Sequence, residues 1–267
     1  MAFLKPQQIA EKTIEAGVSK TKLTFPAILI LGFLGGAFIS LGFLLDIRVV
    51  GNLPEEWGSF ASLLGGAVFP VGLVLIVLAG GELLTGNIMA VSMAVYAKKI
   101  SIKDLGINWL YVLLTNFAGA LFVAYFFGHV VGLTETGPFL DTTVSMAGAK
   151  LDETFLQTFV SAIGCNWLVC LAIWLATGSE DAGGKILGIW FPIMAFVAIG
   201  FQHVVANMFL IPAAIFAGYF TWFDYLSNFV PTLLGNIAGG AIFVGMAYFI
   251  TYAKKTEKKA VQSRKVS

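Results

Sequence analysis

The 267-residue sequence is short of charge: Asp, Glu, Lys and Arg together make up 12%, against 58% for apolar residues, where water-soluble domains carry about 25% charged residues. With a mean hydropathy of +0.88, that shortage excludes a soluble domain. Sixteen basic against fifteen acidic residues leave a formal net charge of +1, so no overall field draws nucleic acid or acidic polymers. Cysteine is equally scarce. Cys165 and Cys170 lie five apart in one apolar run, which suits neither a disulfide framework nor a metal cage, and they read as buried free thiols. The chain has two histidines and few acids inside its apolar runs. It therefore lacks the paired acids or His/Asp clusters of a membrane enzyme, and neither a metal nor a cofactor is expected.

What the sequence has in quantity is apolar runs long enough to cross a hydrocarbon core of about 30 Å. Six are expected, near residues 24–45, 60–97, 105–131, 154–177, 185–218 and 226–252. The second and fifth are too long for one straight helix and contain Gly80, Gly81 and Pro70, and Gly200, Pro192 and Pro212, so both are expected as broken helices. Basic residues alternate in number between successive connections. Four precede the first run (Lys5, Lys12, Lys20, Lys22), six follow the last, and 14 of the 16 fall on one side. The positive-inside rule then puts both termini in the cytoplasm of a multi-pass cell-membrane protein. The first run begins too far in for a cleaved signal peptide, and no processing is expected. Residues 1–23 are expected as a cytoplasmic amphipathic helix, 24–252 as the membrane domain, and 253–267 as a disordered basic tail.

Sliding the sequence along itself by 120 positions aligns Gly80 with Gly200, Glu82 with Gln202, Asn87 with Asn207, Asn108 with Asn228, Asn116 with Asn236 and Gly119 with Gly239. Asn is costly in lipid, so matched asparagines point to a duplicated unit, with halves at about 24–131 and 154–252. Each half holds three spans, and an odd number forces the second copy to insert upside down. The expected fold is all-α: six transmembrane helices in an inverted 3+3 repeat whose second and fifth helices break in corresponding places. Small residues at 119, 120, 239 and 240 would let helices approach closely.

Few polar side chains fall inside the spans, and each is expensive unless it is partnered or lines a path. His203 breaks the repeat, which puts Leu83 opposite it. Burial would leave its imidazole mostly neutral, donating one hydrogen bond and accepting another. Glu82 reads as structural, its charge favoured by the free N–H groups of the half-helix after the break. Asn116 and Asn236 read as helix-to-helix hydrogen bonds, and His129 as an interfacial group. Lys150, beside Asp152 and Glu153, is either a snorkelling lysine or an attractor of anions.

Three runs carry a resemblance. Ala79-Gly80-Gly81-Glu82-Leu83-Leu84-Thr85-Gly86-Asn87, Gly200-Phe201-Gln202-His203-Val204-Val205-Ala206-Asn207-Met208 and Gly164-Cys165-Asn166-Trp167-Leu168-Val169-Cys170 resemble the signatures of the formate/nitrite transporter family. The resemblance implies an aquaporin-like protomer, a homopentamer with one pore per subunit, and movement of small monovalent anions with or without a proton. It implies His203 as a central histidine with Thr85, Asn207 and Asn166 as neighbours and Lys150 in the vestibule. It further implies Phe69, Leu73 and Phe196 as an outer apolar constriction and Leu84 and Val169 as an inner one; Glu82, Asn87 and Gln202 are expected to hold the helix breaks. Gln202 stands where many members carry an acid, and Pro70 lies in the loop of the broken second helix. The expected activity is a channel for formate or nitrite, extending to hydrosulfide or lactate, in which the anion is protonated or its charge compensated at His203. A neutral-solute pore of the aquaporin or ammonia type is the alternative.

Overall fold

The computed structural model describes residues 3–254. The basic tail expected at 253–267 lies, from residue 255 on, outside the described residues. Apart from one isolated antiparallel bridge between Phe3 and Ser179, the described chain is helices and their connections.

A short amphipathic helix, α1 (Pro6–Lys20), precedes the first span, α2 (Phe25–Val50). The second span enters as α3 (Ser59–Val68) and α4 (Val71–Val74), continues as a π-helical stretch to Gly80, and resumes after a break as α5 (Leu84–Tyr96). The third is α6 (Ile102–Phe122), extended as a π-helix to Val130. After α7 (Pro138–Leu151), the second half follows the same plan: α8 (Phe155–Gly178), then α9 (Ala182–Ile199) and α10 (Val204–Phe216) separated by a break, then α11 (Trp222–Ile237), continued in π-helical form. Six of these helical runs are long and apolar enough to cross a membrane. The protein is a multi-pass, all-α membrane protein with an inverted repeat and broken second and fifth spans.

Local chemistry sets the helix starts. Ser101, Thr154 and Thr221 each cap their helix and form a reciprocal box with Asp104, Gln157 and Asp224, which satisfies N–H groups that the first turn leaves free. The breaks fall at Gly80 and Gly200, whose φ values of +104° and +89° lie where a side chain would strain the backbone. The first break is therefore not at Pro70, as its place in the sequence suggested. Pro70 only kinks the first half-helix between α3 and α4, while Pro192 and Pro212 sit inside α9 and α10 without ending them.

The repeat reaches further than the 120-residue offset shows. From the breaks onward that offset holds, and between α1–α2 and α7–α8 the offset is 130. The N–H of Glu82 donates to the Leu31 carbonyl, and that of Gln202 to Ser161 Oγ. Asn116 donates to the carbonyls of Gly32 and Glu82, and Asn236 to those of Ala162 and Gln202. Asn108 donates to the carbonyl of Lys20 at the end of α1, Asn228 to that of Lys150 at the end of α7. The amphipathic helices α1 and α7 are thus counterparts, so the repeated unit is one short helix plus three spans. Between α2 and α6, and between α8 and α11, a Cβ on Gly119 or Gly239 would overlap the carbonyl of Phe33 or Ile163. Those glycines allow the close helix contact expected of them.

Candidate functional site

The half-helices α5 and α10 begin with N–H groups that lack intrahelical partners. In a lipid-facing protein each needs a partner. Asn116 Oδ1 accepts from Leu84 N and Asn236 Oδ1 from Val204 N, both at 2.9 Å. With its amide donating to two carbonyls as well, each asparagine ties the break to two spans. These are the interior hydrogen bonds expected of the pair.

His203 caps α10. Its Nδ1 accepts the Ala206 N–H at 3.2 Å, and its Nε2 lies 3.0 Å from Thr85 Oγ1 on the other half-helix. These contacts fix the tautomer. A nitrogen that accepts cannot carry the proton, so the neutral ring is protonated at Nε2 and donates to the threonine hydroxyl. An imidazolium would turn a second N–H against that of Ala206, at the positive end of the α10 dipole. Both residues are buried. The two breaks therefore meet through one side chain from each half, at the point where the repeat is least symmetric, with Thr85 opposite Val205 and His203 opposite Leu83.

Around this contact the lining is apolar. Phe196 lies tilted against the imidazole at 5.6 Å between ring centroids and meets Phe69 edge-on at 5.6 Å. A narrow cavity lined by Phe69, Leu73, Leu83, Val169, Ile193, Phe196 and His203 has no room for a water molecule. Val169, expected in a separate inner ring, thus lines the same constriction as the expected outer trio, whereas Leu84 is buried at the start of α5 and does not line it. On one side the constriction opens into a cavity of about 290 Å³ reached by His203, Asn207 and Lys150. Lys150 Nζ donates to the carbonyls of Gly200 and Phe201, the residues just ahead of the break. Burial draws its pKa below the ordinary lysine value, opposed by the nearby acidic groups of Glu153, Cys165 and Asp46.

The remaining expected site residues divide into two clusters. Glu82 Oε2 accepts from Asn87 Nδ2 at 2.6 Å, and its Oε1 pairs with Lys20 Nζ at 2.7 Å. Its charge is met by a side-chain amide and an ammonium rather than by helix N–H groups. Gln202 Oε1 accepts from Asn207 at 2.7 Å, and its amide donates to the Lys150 carbonyl. Asn166 is brought to the site but faces backbone: its amide donates to the carbonyls of Asn236 and Thr85. Cys165 and Cys170 are buried free thiols, and His129 is paired with Glu135 at 2.6 Å, away from the site.

Two residues escaped the sequence reading. Lys20, counted only as a basic flank, is the partner of Glu82. Asp46 faces the 290 Å³ cavity. It lies one residue past the expected end of the first span, which in fact runs a further turn to Val50. A carboxyl inside an apolar run was the signal that could have found it.

The sequence profile described as "Formate/nitrite transporter" matches residues 7–250. The chain belongs to the formate/nitrite transporter family. It is 66% identical over 255 residues to the formate channel BtFdhC of Bacillus thuringiensis, covering 96% of this chain and 98% of that protein. Among solved structures, an "FNT family ion channel" superposes with a TM-score of 0.85 at 29% identity, over 91% of this chain and 98% of the other. A "pentameric formate channel with formate bound" gives 0.72 at 30% identity, over 86% and 97%. The relatives of this formate/nitrite transporter are channels and transporters, not enzymes. The paired breaks, with a histidine at one and a threonine at the other, are thus set in a transporter framework.

Proposed function

We propose that the protein is a channel for small monovalent anions of weak acids, formate or nitrite foremost and hydrosulfide or lactate next, and that each anion passes the constriction as its neutral acid. The observation that carries this reading is the buried Thr85–His203 hydrogen bond beside a constriction that is otherwise apolar. A bare anion taken from water into such surroundings meets an idealised cost of order 20 kcal/mol, still several after relaxation. Neutralising it removes most of that barrier. Lys150 then gathers the anion by charge, Asn207 lines the cavity wall with its amide donated to Gln202 and Asn228, and the constriction of Phe69, Leu73, Phe196 and Val169 passes the uncharged form. His203, neutral and protonated at Nε2, offers with Thr85 one donor and one acceptor to a neutral acid. It does not hold the anion by a positive charge.

Assembly and orientation follow the relatives and the charge count. The channel assembles as a homopentamer with one pore per subunit, in the manner of its formate-bound neighbour, which is pentameric. It sits in the cell membrane with both termini in the cytoplasm, because 14 of the 16 basic residues fall on that side. The Lys150 cavity then faces outward and α1 lies on the inner face.

The test is a panel of permeants in proteoliposomes. Formate, nitrite, hydrosulfide, lactate and glycerol are compared by stopped-flow at two pH values. Faster anion flux at the lower pH with little glycerol flux supports the reading. Glycerol flux with no anion flux favours the neutral-solute pore.

A further inference from the structure

Neutralising an anion needs a proton, and the ring of His203 is not its source. Nδ1 of the neutral imidazole is an acceptor engaged by Ala206. Giving up the Nε2 proton would leave an imidazolate, a far stronger base than the permeant. The anion must gain its proton in the cavity before the ring. Two other titratable side chains line that cavity, Lys150 and Asp46.

Asp46 is 3% exposed, and its Oδ1 has no hydrogen-bond partner among the described residues. Gly65 of α3 lies so close that a Cβ there would overlap the carboxyl, so the fold leaves space for this side chain. The charged and titratable groups around it are few. From α7 comes Lys150, with its ammonium on two carbonyls, and beyond it Glu153, a neighbour of Lys150. From the break before α10 comes His203, and from α8 Cys165, a buried thiol beside Lys150. On its own helix Arg48 turns away, its guanidinium 3.4 Å above the Phe139 ring. The lining residues of α3 and α9 add none. Burying a carboxylate with an oxygen lacking any donor is costly, and a proton removes that cost.

We infer that Asp46 is the proton donor of this cavity: as the neutral acid it hydrogen-bonds the arriving anion and hands its proton over. The O–H bond of Asp46 breaks and an O–H bond of the small acid forms. The electron pair stays on Asp46 as a carboxylate facing the Lys150 ammonium, and hydronium from the adjoining solution restores the acid. Donor and permeant are both small weak acids, and the apolar surroundings that disfavour the Asp46 carboxylate disfavour the bare anion as well, so the proton passes between like groups and the donor can be recharged each cycle. With Gln202 at the break, Asp46 is the acid that the cavity supplies. The inference rests on the anion-channel reading above.

The test uses full-length wild type, D46N and D46S in proteoliposomes. Formate uptake is followed at fixed internal pH while external pH is varied from about 5 to about 8. D46S, smaller than the native side chain, serves where D46N does not assemble. The expected wild-type rate bends with external pH. Both variants are about tenfold or more slower at the acid end and lose the bend. A variant with the wild-type rate and bend, or one slowed equally at every pH, overturns the inference while leaving the anion channel in place. A wild-type protein that carries none of the anions overturns the anion-channel reading and this inference together.

Discussion

Thr85 Oγ1 and His203 Nε2 lie 3.0 Å apart, one from each half of an inverted repeat, and this hydrogen bond joins the two half-helices that follow the breaks. Because Ala206 N–H occupies the other ring nitrogen, the hydrogen bond has a direction, from the imidazole to the hydroxyl. Replacing Thr85 with Val leaves the Nε2–H buried without an acceptor at a cost of about 1–3 kcal/mol. T85V is expected to slow formate flux about tenfold or more, with T85S close to wild type. Stopped-flow flux on assembled protein checks this, and a T85V channel as fast as wild type would show that the hydroxyl plays no part.

Lys150 provides a pH test on the alkaline side. Burial lowers its pKa, so its charge is full at low pH and is lost, as pH rises, earlier than that of an exposed lysine. Anion capture should weaken in step, seen as a rising KM with little change in maximal rate. K150M should raise KM about tenfold or more at every pH, and K150R, which keeps its charge, should flatten the alkaline limb. A wild-type KM constant into the alkaline range would remove the ammonium from capture.

The Lys20–Glu82 pair joins α1 to the first break, with Glu82 nearly buried and Lys20 about a quarter exposed. Removing one partner of a buried pair costs about 3–5 kcal/mol, less where one side reaches water. K20M is therefore expected to destabilise the assembled protein by about 2 kcal/mol. Most of that should return in K20M/E82Q, where no charge is stranded. Thermal unfolding in detergent, read as a double-mutant cycle, tests it: losses that simply add would mean the two residues are uncoupled.

Asn236 makes three contacts with the backbone of the break and of α8. N236A strands all of these groups and should cost about 3 kcal/mol or more. The repeat predicts a similar cost for N116A, and pentamer yield and unfolding temperature of both variants test it. Loss in one half only would mean that the matched asparagines do not do matched work.

The span count, the breaks near Gly80 and Gly200 and the role of the paired asparagines were legible in the sequence, because apolar length, left-handed glycine and the expense of Asn in lipid are properties of residues in isolation. The asymmetry at His203 was legible too, since the repeat set Leu83 against it. What escaped depended on partners distant in the chain. Lys20 reaches Glu82 across 62 positions, and nothing local distinguishes it from a flanking lysine. The counterpart relation of α1 and α7 was hidden by the change of offset from 120 to 130, which the longer first half ahead of the break introduces. Val169 and Phe69 share one constriction because α8 packs against α9, whose Phe196 meets Phe69, a fact of tertiary packing. Asp46 was missed because the first span was ended one residue too early.

The most direct test is formate flux through H203F and H203N across pH, compared with wild type in proteoliposomes. H203F, with no donor, is expected to lose formate flux about a hundredfold, while H203N, whose amide can still donate, keeps part of the flux. Rate, selectivity and pH profile unchanged in H203F would take the histidine out of permeation altogether.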